Sequence, residues 1–298
     1  MFGFQRVGDL CWAAGDCQAR GFLIGATAGR TTLNGEGLQH QDGHSHILSS
    51  TVPNCVSYDP TYAYELAVIV QDGLRRMYKE MESVFFYITT MNENYTQPEM
   101  PKGSEAGIIK GMYLLEDGES KENKVAKPRK GTSGQRLRLL GSGTILREVR
   151  KAAETLRKDF GVVTDVWSVT SFNELRKDAL AVDRENMLHP EKKPTASFVT
   201  EQLGKQKGPV IATTDYMKSY ADQIREFVPD TYRVLGTDGF GRSDSREKLR
   251  HFFEVDAKFV VLAALTELKE QGAITAKEIT DFMKKSGISK NKANPVSQ

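Results

Sequence analysis

Leu137-Arg-Leu-Leu-Gly-Ser-Gly143-Thr-Ile-Leu-Arg-Glu-Val149, followed further on by Val162-Val-Thr-Asp-Val-Trp-Ser-Val169, decides the fold. Leu137 to Leu140 reads as a buried strand, Gly141-Ser-Gly143 as a tight turn, and Thr144 as the start of a helix. Ile145, Val149, Ala152 and Leu156 recur at helical spacing and define its buried face. Val162 to Val169 is the next strand. Two strands and a crossover helix in roughly 30 residues is the size of a β-α-β unit, with a right-handed crossover expected. The pattern recurs downstream, with strands at Val210 to Thr213 and Tyr232 to Leu235 around a helix at Met217 to Phe227. Ser245 to Leu268 reads as one helix, and Thr275 to Lys285 as a last one with Thr275 and Glu278 forming a capping box. The expected fold class is therefore α/β around a mainly parallel sheet.

Upstream, Val84 to Thr89 is a continuous β-rich run, typical of a buried parallel strand. Tyr58 to Glu82 has helical spacing, with Leu66, Val70, Leu74, Met77 and Met81 on one face and Pro60 in its first turn. Ala13 to Leu48 reads mostly as loop. Thr96 to Gln135, with its prolines, glycines and lysines at 121–130, reads as a partly solvated connection; a plain surface loop is preferred there over an anion-binding patch. The 298 residues suit two domains. Forty-one basic against 39 acidic residues leave a net charge of +2, which gives no reason to expect nucleic acid or an anionic membrane as partner. The longest apolar run, Phe259 to Leu265, is far short of the roughly 20 residues a membrane helix needs. Cys11, Cys17 and Cys55 fit neither a disulfide framework nor a zinc pattern, so reduced thiols in a cytoplasmic protein are expected. Phe2 and Phe4 at the very start suggest a chain cut inside a domain.

Three segments invite chemistry. Gly141-Ser-Gly143 lies where a dinucleotide fingerprint would, but Leu146 stands at the third glycine, so a tight turn is the better reading. Gly236-Thr-Asp-Gly-Phe-Gly-Arg-Ser-Asp244 lacks a Walker lysine and is expected to serve a neighbouring site or a subunit contact. Gly29 to His46 holds three of the five histidines, His40, His44 and His46, among four glycines. Spacing alone leaves open a metal site with Asp42 or Glu36, acid-base histidines, or a polar loop that satisfies its own backbone.

Phe2-Gly-Phe-Gln-Arg6-Val-Gly-Asp, the Gly29 to His46 run, Tyr58-Asp-Pro-Thr-Tyr-Ala-Tyr-Glu65, Tyr87-Ile-Thr-Thr-Met-Asn-Glu-Asn-Tyr95 and Leu235 to Glu247 resemble the homodimeric, thiamine-diphosphate-dependent first component of the pyruvate dehydrogenase complex. The resemblance covers nearly the whole chain. It implies the C-terminal part of a transketolase-like pyrimidine-binding domain at 1–101, a connecting segment at 102–135, and a transketolase C-terminal-like α/β domain at 136–298. It also implies oxidative decarboxylation of pyruvate, with thiamine diphosphate and Mg²⁺ as cofactors and transfer to lipoyl groups of the dihydrolipoamide acetyltransferase core. Phe2 would stack on the aminopyrimidine ring, His40 would donate to the bound intermediate, Glu36 would line the same pocket, and His44 and His46 would stand behind them. No metal ligand is implied within this chain. Gln41 stands where many relatives have Glu. The superfamily's Gly-Asp-Gly is not found, and the relay glutamate is expected upstream of Met1. The resemblance thus implies a chain inactive alone, completed by a missing N-terminal part or second subunit within a homodimer. Its rivals are a non-catalytic dimerisation or complex-binding module and a metal-dependent histidine cluster.

Overall fold

The computed structural model describes residues 3–37, 40–125, 127–132 and 136–298. Two sheets organise it. The first contains β1 (Phe22–Ala26), β2 (Cys55–Tyr58) and β3 (Phe85–Thr90), all parallel, in the order β1-β3-β2. β3 is central, and its side chains alternate between two small cores. Phe86 and Ile88 pack with Val56, Tyr58, Ile69 and Met77, whereas Phe85 and Tyr87 pack with Phe4, Cys11, Val52 and Cys55. The helices of this half are α1 (Gly3–Asp16), α2 (Ser45–Ser49) and α3 (Ala63–Leu74).

The second sheet has the order β4-β6-β5-β7-β8, from β4 (Met112–Glu116), β5 (Leu137–Gly141), β6 (Thr164–Val169), β7 (Val210–Thr213) and β8 (Tyr232–Leu235). All neighbours are parallel except the β4–β6 pair. Leu137 and Leu139 face one core, built with α5 (Leu146–Phe160), α9 (Arg246–Phe252), α10 (Ala257–Glu270) and α11 (Ala276–Ser286). Leu140 faces the other, with α6 (Phe172–Leu188), α7 (Phe198–Gly204) and α8 (Lys218–Asp222). A sheet covered on both faces explains why its strands read as unbroken apolar runs. Among the described residues no helix is long and apolar enough to cross a membrane.

Ile145, Val149, Ala152 and Leu156 are fully buried, as their spacing predicts. Thr275 and Glu278 form the expected capping box on α11. Elsewhere the structure corrects the reading. β1, and the end of α1, fall within the stretch read as loop, and α4 (Glu105–Lys110) and β4 fall within the connection. The helix expected from Tyr58 begins only at Ala63, so Pro60 precedes it, and it ends in a wider turn over Arg75–Lys79. Its buried residues are Glu65, Ile69, Asp72 and Gly73, followed by Met77 in that turn, while Leu74 and Met81 are exposed. The single helix expected over 245–268 is two, broken where Glu254 takes a left-handed φ of 63°.

Candidate active site

Open α/β sheets bind ligands at the carboxyl ends of their strands, where loops diverge and leave a crevice. Here the loops leaving β1, β5, β7 and β8 meet at such an end. Thr32 Oγ1, from the loop after β1, lies 2.5 Å from Thr144 Oγ1, just after β5. Asp215, two residues past β7, is completely buried and accepts four hydrogen bonds. They come from Thr31 N (2.9 Å), Thr31 Oγ1 (2.6 Å), Thr32 N (3.1 Å) and Thr32 Oγ1 (2.7 Å). Burial raises its carboxyl above the usual range, while Arg250 and the threonine donors pull it back. Gly29 is required twice over: its φ is +89°, and a side chain would run into the Asp215 carboxylate.

Arg30 turns the other way. Its buried guanidinium donates to Thr237 O at 2.5 Å and to Gly239 O, both in the loop after β8. Burial lowers its pKa against the opposing pull of Asp42, Asp215 and Asp238. Gln41 adds a second tie, its amide donating to Leu33 O (2.9 Å) and accepting from Arg242 N (2.7 Å). The 236–244 loop thus serves the neighbouring histidine loop.

The three histidines take different places. His40 stays at the surface, 32% exposed, with Nδ1 3.1 Å from Glu36 Oε2 one helical turn earlier in sequence. The Glu36 carboxylate thus stands beside the imidazole within ion-pairing distance. His44 is half-buried beside Asp42; burial lowers its pKa, which Asp42 opposes and Arg30 reinforces. Asp42 itself accepts from His44 N (3.1 Å) and Ser45 N (3.0 Å), holding the entry to α2. His46 is sealed in the core. It stacks on Tyr220 at 4.8 Å, meets Tyr216 edge-on at 4.7 Å, and contacts Thr89 Oγ1 at 3.0 Å through Nε2. Burial pushes its pKa down to about 3, so it is neutral. Thr89 in turn donates at 2.8 Å to the buried Asp59, whose carboxyl burial raises to about 7.

The structure therefore brings Glu36 and His40 together, sets His44 beside Asp42 and Arg30, and turns His46 inward. Phe2 lies outside the described residues. Among the described residues no group of three or more His, Cys, Asp or Glu is placed to hold a metal ion. Sequence reasoning missed Arg30, Asp59 and Asp215. For Asp215 there was a signal: an acid two residues past the buried strand Val210–Thr213, where strand-end ligands sit. For Arg30 and Asp59, whose partners are remote in sequence, there was none.

A family model described as the pyruvate dehydrogenase E1 component middle domain matches residues 1–98, and a transketolase-like C-terminal domain model matches 111–256. A pyruvate dehydrogenase E1 component of Pseudomonas aeruginosa is 64% identical over 297 residues, covering 99% of this chain and 32% of that protein. One from Escherichia coli K12 is 60% identical with the same coverage. The chain thus spans about a third of the length of the curated relatives it matches. Among solved structures, a transketolase from Campylobacter jejuni shares the fold with a TM-score of 0.62 at 17% identity, over 88% of this chain and 34% of that one.

Proposed function

Because this chain belongs to the pyruvate dehydrogenase E1 component family, we propose that it supplies one wall of a thiamine-diphosphate site for oxidative decarboxylation of pyruvate and acetyl transfer to lipoyl groups. The observation that carries the reading is the His40–Glu36 pair, held at the open end of a loop otherwise clamped into the protein. When bound, the cofactor supplies the electron sink for decarboxylation. His40 holds and returns a proton at the reacting centre, Glu36 orients its ring, and Phe2 offers an apolar face to the pyrimidine. His44 stands behind them, and His46 props the loop from inside.

These residues fit the reactive end of such a cofactor and not its diphosphate. No Gly-Asp-Gly occurs in the sequence, and no cluster of acidic ligands is assembled among the described residues. The diphosphate, Mg²⁺ and the glutamate relay to the pyrimidine belong in this reading to another polypeptide or a preceding part. Leu10 and Trp12 on α1 and Ile24 on the edge strand β1 are exposed and offer that part an apolar contact. Homodimer formation, attachment to the dihydrolipoamide acetyltransferase core and a cytoplasmic setting belong to the same proposal.

Two measurements test it. Calorimetry should detect no micromolar thiamine diphosphate binding by the isolated chain. Mixing it with a polypeptide carrying the remaining two thirds should restore pyruvate-dependent dye reduction, and His40→Ala should then lower kcat about 10²–10⁴-fold. Activity of the chain alone, or a His40→Ala mixture as active as the parent, would sink the reading.

A further inference from the structure

We infer that the cleft between α5 and the 121–130 lysine segment binds a small polyanion bearing two or more phosphate groups. This inference stands independently of the proposed reaction, since the cleft shares no lining residue with the 29–46 loop. The cleft encloses about 1230 Å³, above the roughly 300–1,000 Å³ of ordinary small-molecule pockets. Nucleotide-sized ligands fit with room to spare.

The charge is local. The whole chain carries only +2, yet eight basic side chains line this cleft against three acidic ones, Glu116, Glu122 and Glu154. They converge from two walls rather than lying on one solvated face. Arg150 and Lys151 follow Arg147 by three and four residues, and Arg157 follows Arg150 by seven, which sets them along one side of α5. The lysine segment folds back opposite them. Val125 is buried as its anchor, and Asn123 Oδ1 accepts from Arg157 Nη1 at 2.9 Å.

Neutralisation is incomplete. Six of the eight cations are ion-paired: Arg147 with Glu93, Lys151 with Glu148, Lys158 with Glu154, Arg129 with Glu278, and both Arg150 (2.6 Å) and Arg157 (2.8 Å) with the single carboxylate of Glu116. Lys124 and Lys127, on either side of Val125, have no carboxylate partner among the described residues. At one end Arg147 lies over the Tyr95 ring, 4.7 Å from its centroid, so an aromatic ring and a cation stand together there. Concave walls with one excess sign focus the field on whatever enters, and Arg and Lys are the side chains that pair with phosphate oxygens. The lysine stretch that reads as a plain surface loop in sequence is, in the fold, one wall of an anion site.

The test is calorimetric titration of the full chain with sodium tripolyphosphate and, separately, with metal-free ATP, at about 0.15 M salt, where bulk surface attraction is screened. Both should saturate with dissociation constants below about 1 mM. Lys124→Glu with Lys127→Glu should weaken both at least tenfold, by charge reversal at exposed positions that leaves the core intact. Lys192→Glu with Lys193→Glu, the same charge change on exposed lysines outside the cleft, should weaken them less than twofold. Tighter binding of ATP than of tripolyphosphate assigns the ring to the Tyr95 end; equal binding assigns recognition to phosphates alone. Failure of both probes to saturate, no effect of the cleft pair, or equal effects of the two pairs would overturn the site.

Discussion

Gln41 uses both ends of its amide, giving a proton to Leu33 O and taking one from Arg242 N while almost wholly buried. A carboxylate can serve Arg242 but sets oxygen against oxygen at Leu33 unless protonated. Gln41→Glu should therefore cost about 1–2 kcal/mol in urea unfolding at pH 8, with the penalty shrinking toward pH 5. A penalty independent of pH would show that Leu33 simply moves away. Deeper in, Thr89 bridges His46 and Asp59, whose titrations oppose each other. The folded state keeps His46 neutral down to about pH 3, so below an unfolded pKa near 6.5 the unfolded chain binds the extra proton and stability falls. Asp59 stays protonated up to about 7 when folded, so between an unfolded pKa near 3.9 and 7 its contribution grows as pH falls. The two slopes nearly cancel between about pH 4 and 6.5. Asp59→Asn removes one of them. Relative to the parent, that variant should lose up to about 1.4 kcal/mol per pH unit on acidification in this window, read from denaturant midpoints at several pH values. Parallel curves for parent and variant would show that Asp59 ionises normally.

At the level of elements, the loop after β1 is held less by its own bonds than by Asp215 from the strand β7 side. Asp215→Ala would leave the amides of Thr31 and Thr32 and the Thr31 hydroxyl unpaired in a buried place, with Thr32 Oγ1 keeping only Thr144, a loss of about 3–5 kcal/mol. Amide hydrogen exchange at Thr31 and Thr32 should accelerate far more than at Leu139 or Ile211 in the second sheet's centre; an unchanged loop would mean that Arg30 and Gln41 suffice. The same element shows where sequence stops speaking. The β5-α5-β6 unit was legible because Ile145, Val149, Ala152 and Leu156 can only share a face at helical spacing, and all four are buried. For α3 spacing misled, because Ala63 to Leu74 is apolar on several sides and no stripe stands out. What selects its buried face is Glu65, whose carboxylate accepts from Tyr113 and Ser168, 48 and 103 residues away. β1 escaped notice because five residues containing Gly25, set among loop-forming glycines, carry too little pattern. In the site, Glu36 and His40 pair across four residues and could be read as neighbours. The inward turn of His46 depends on Tyr216 and Tyr220, which only the fold brings to it.

Across the whole molecule, the two sheets are joined by buried polar bonds rather than by a passive linker. Glu65 reaches Ser168 (2.6 Å), Ser171 Oγ donates to Ser57 O (2.6 Å), Asn173 donates to Ser57 Oγ (2.6 Å) and His46 O (2.9 Å), and Lys177 donates to Cys55 O (2.6 Å). At the opposite side Glu93, just past β3, receives Arg147 at 2.6 Å and also Arg250. Each of these groups is costly to strand in a dry interior, so opening the junction is as unfavourable as unfolding a small core. The first sheet has only three strands, with β1 as an edge, and a domain of that size is marginal alone. Its stability is therefore borrowed from the second sheet through the junction. Scanning calorimetry of the chain should show one transition with matching calorimetric and van't Hoff enthalpies. Breaking the junction with Asn173→Ala and Asp215→Ala together should split it, the first half melting lower while the second keeps nearly the parent temperature. Two transitions in the parent chain would mean that the halves fold independently and that the candidate loop, which is built from both, is assembled only weakly.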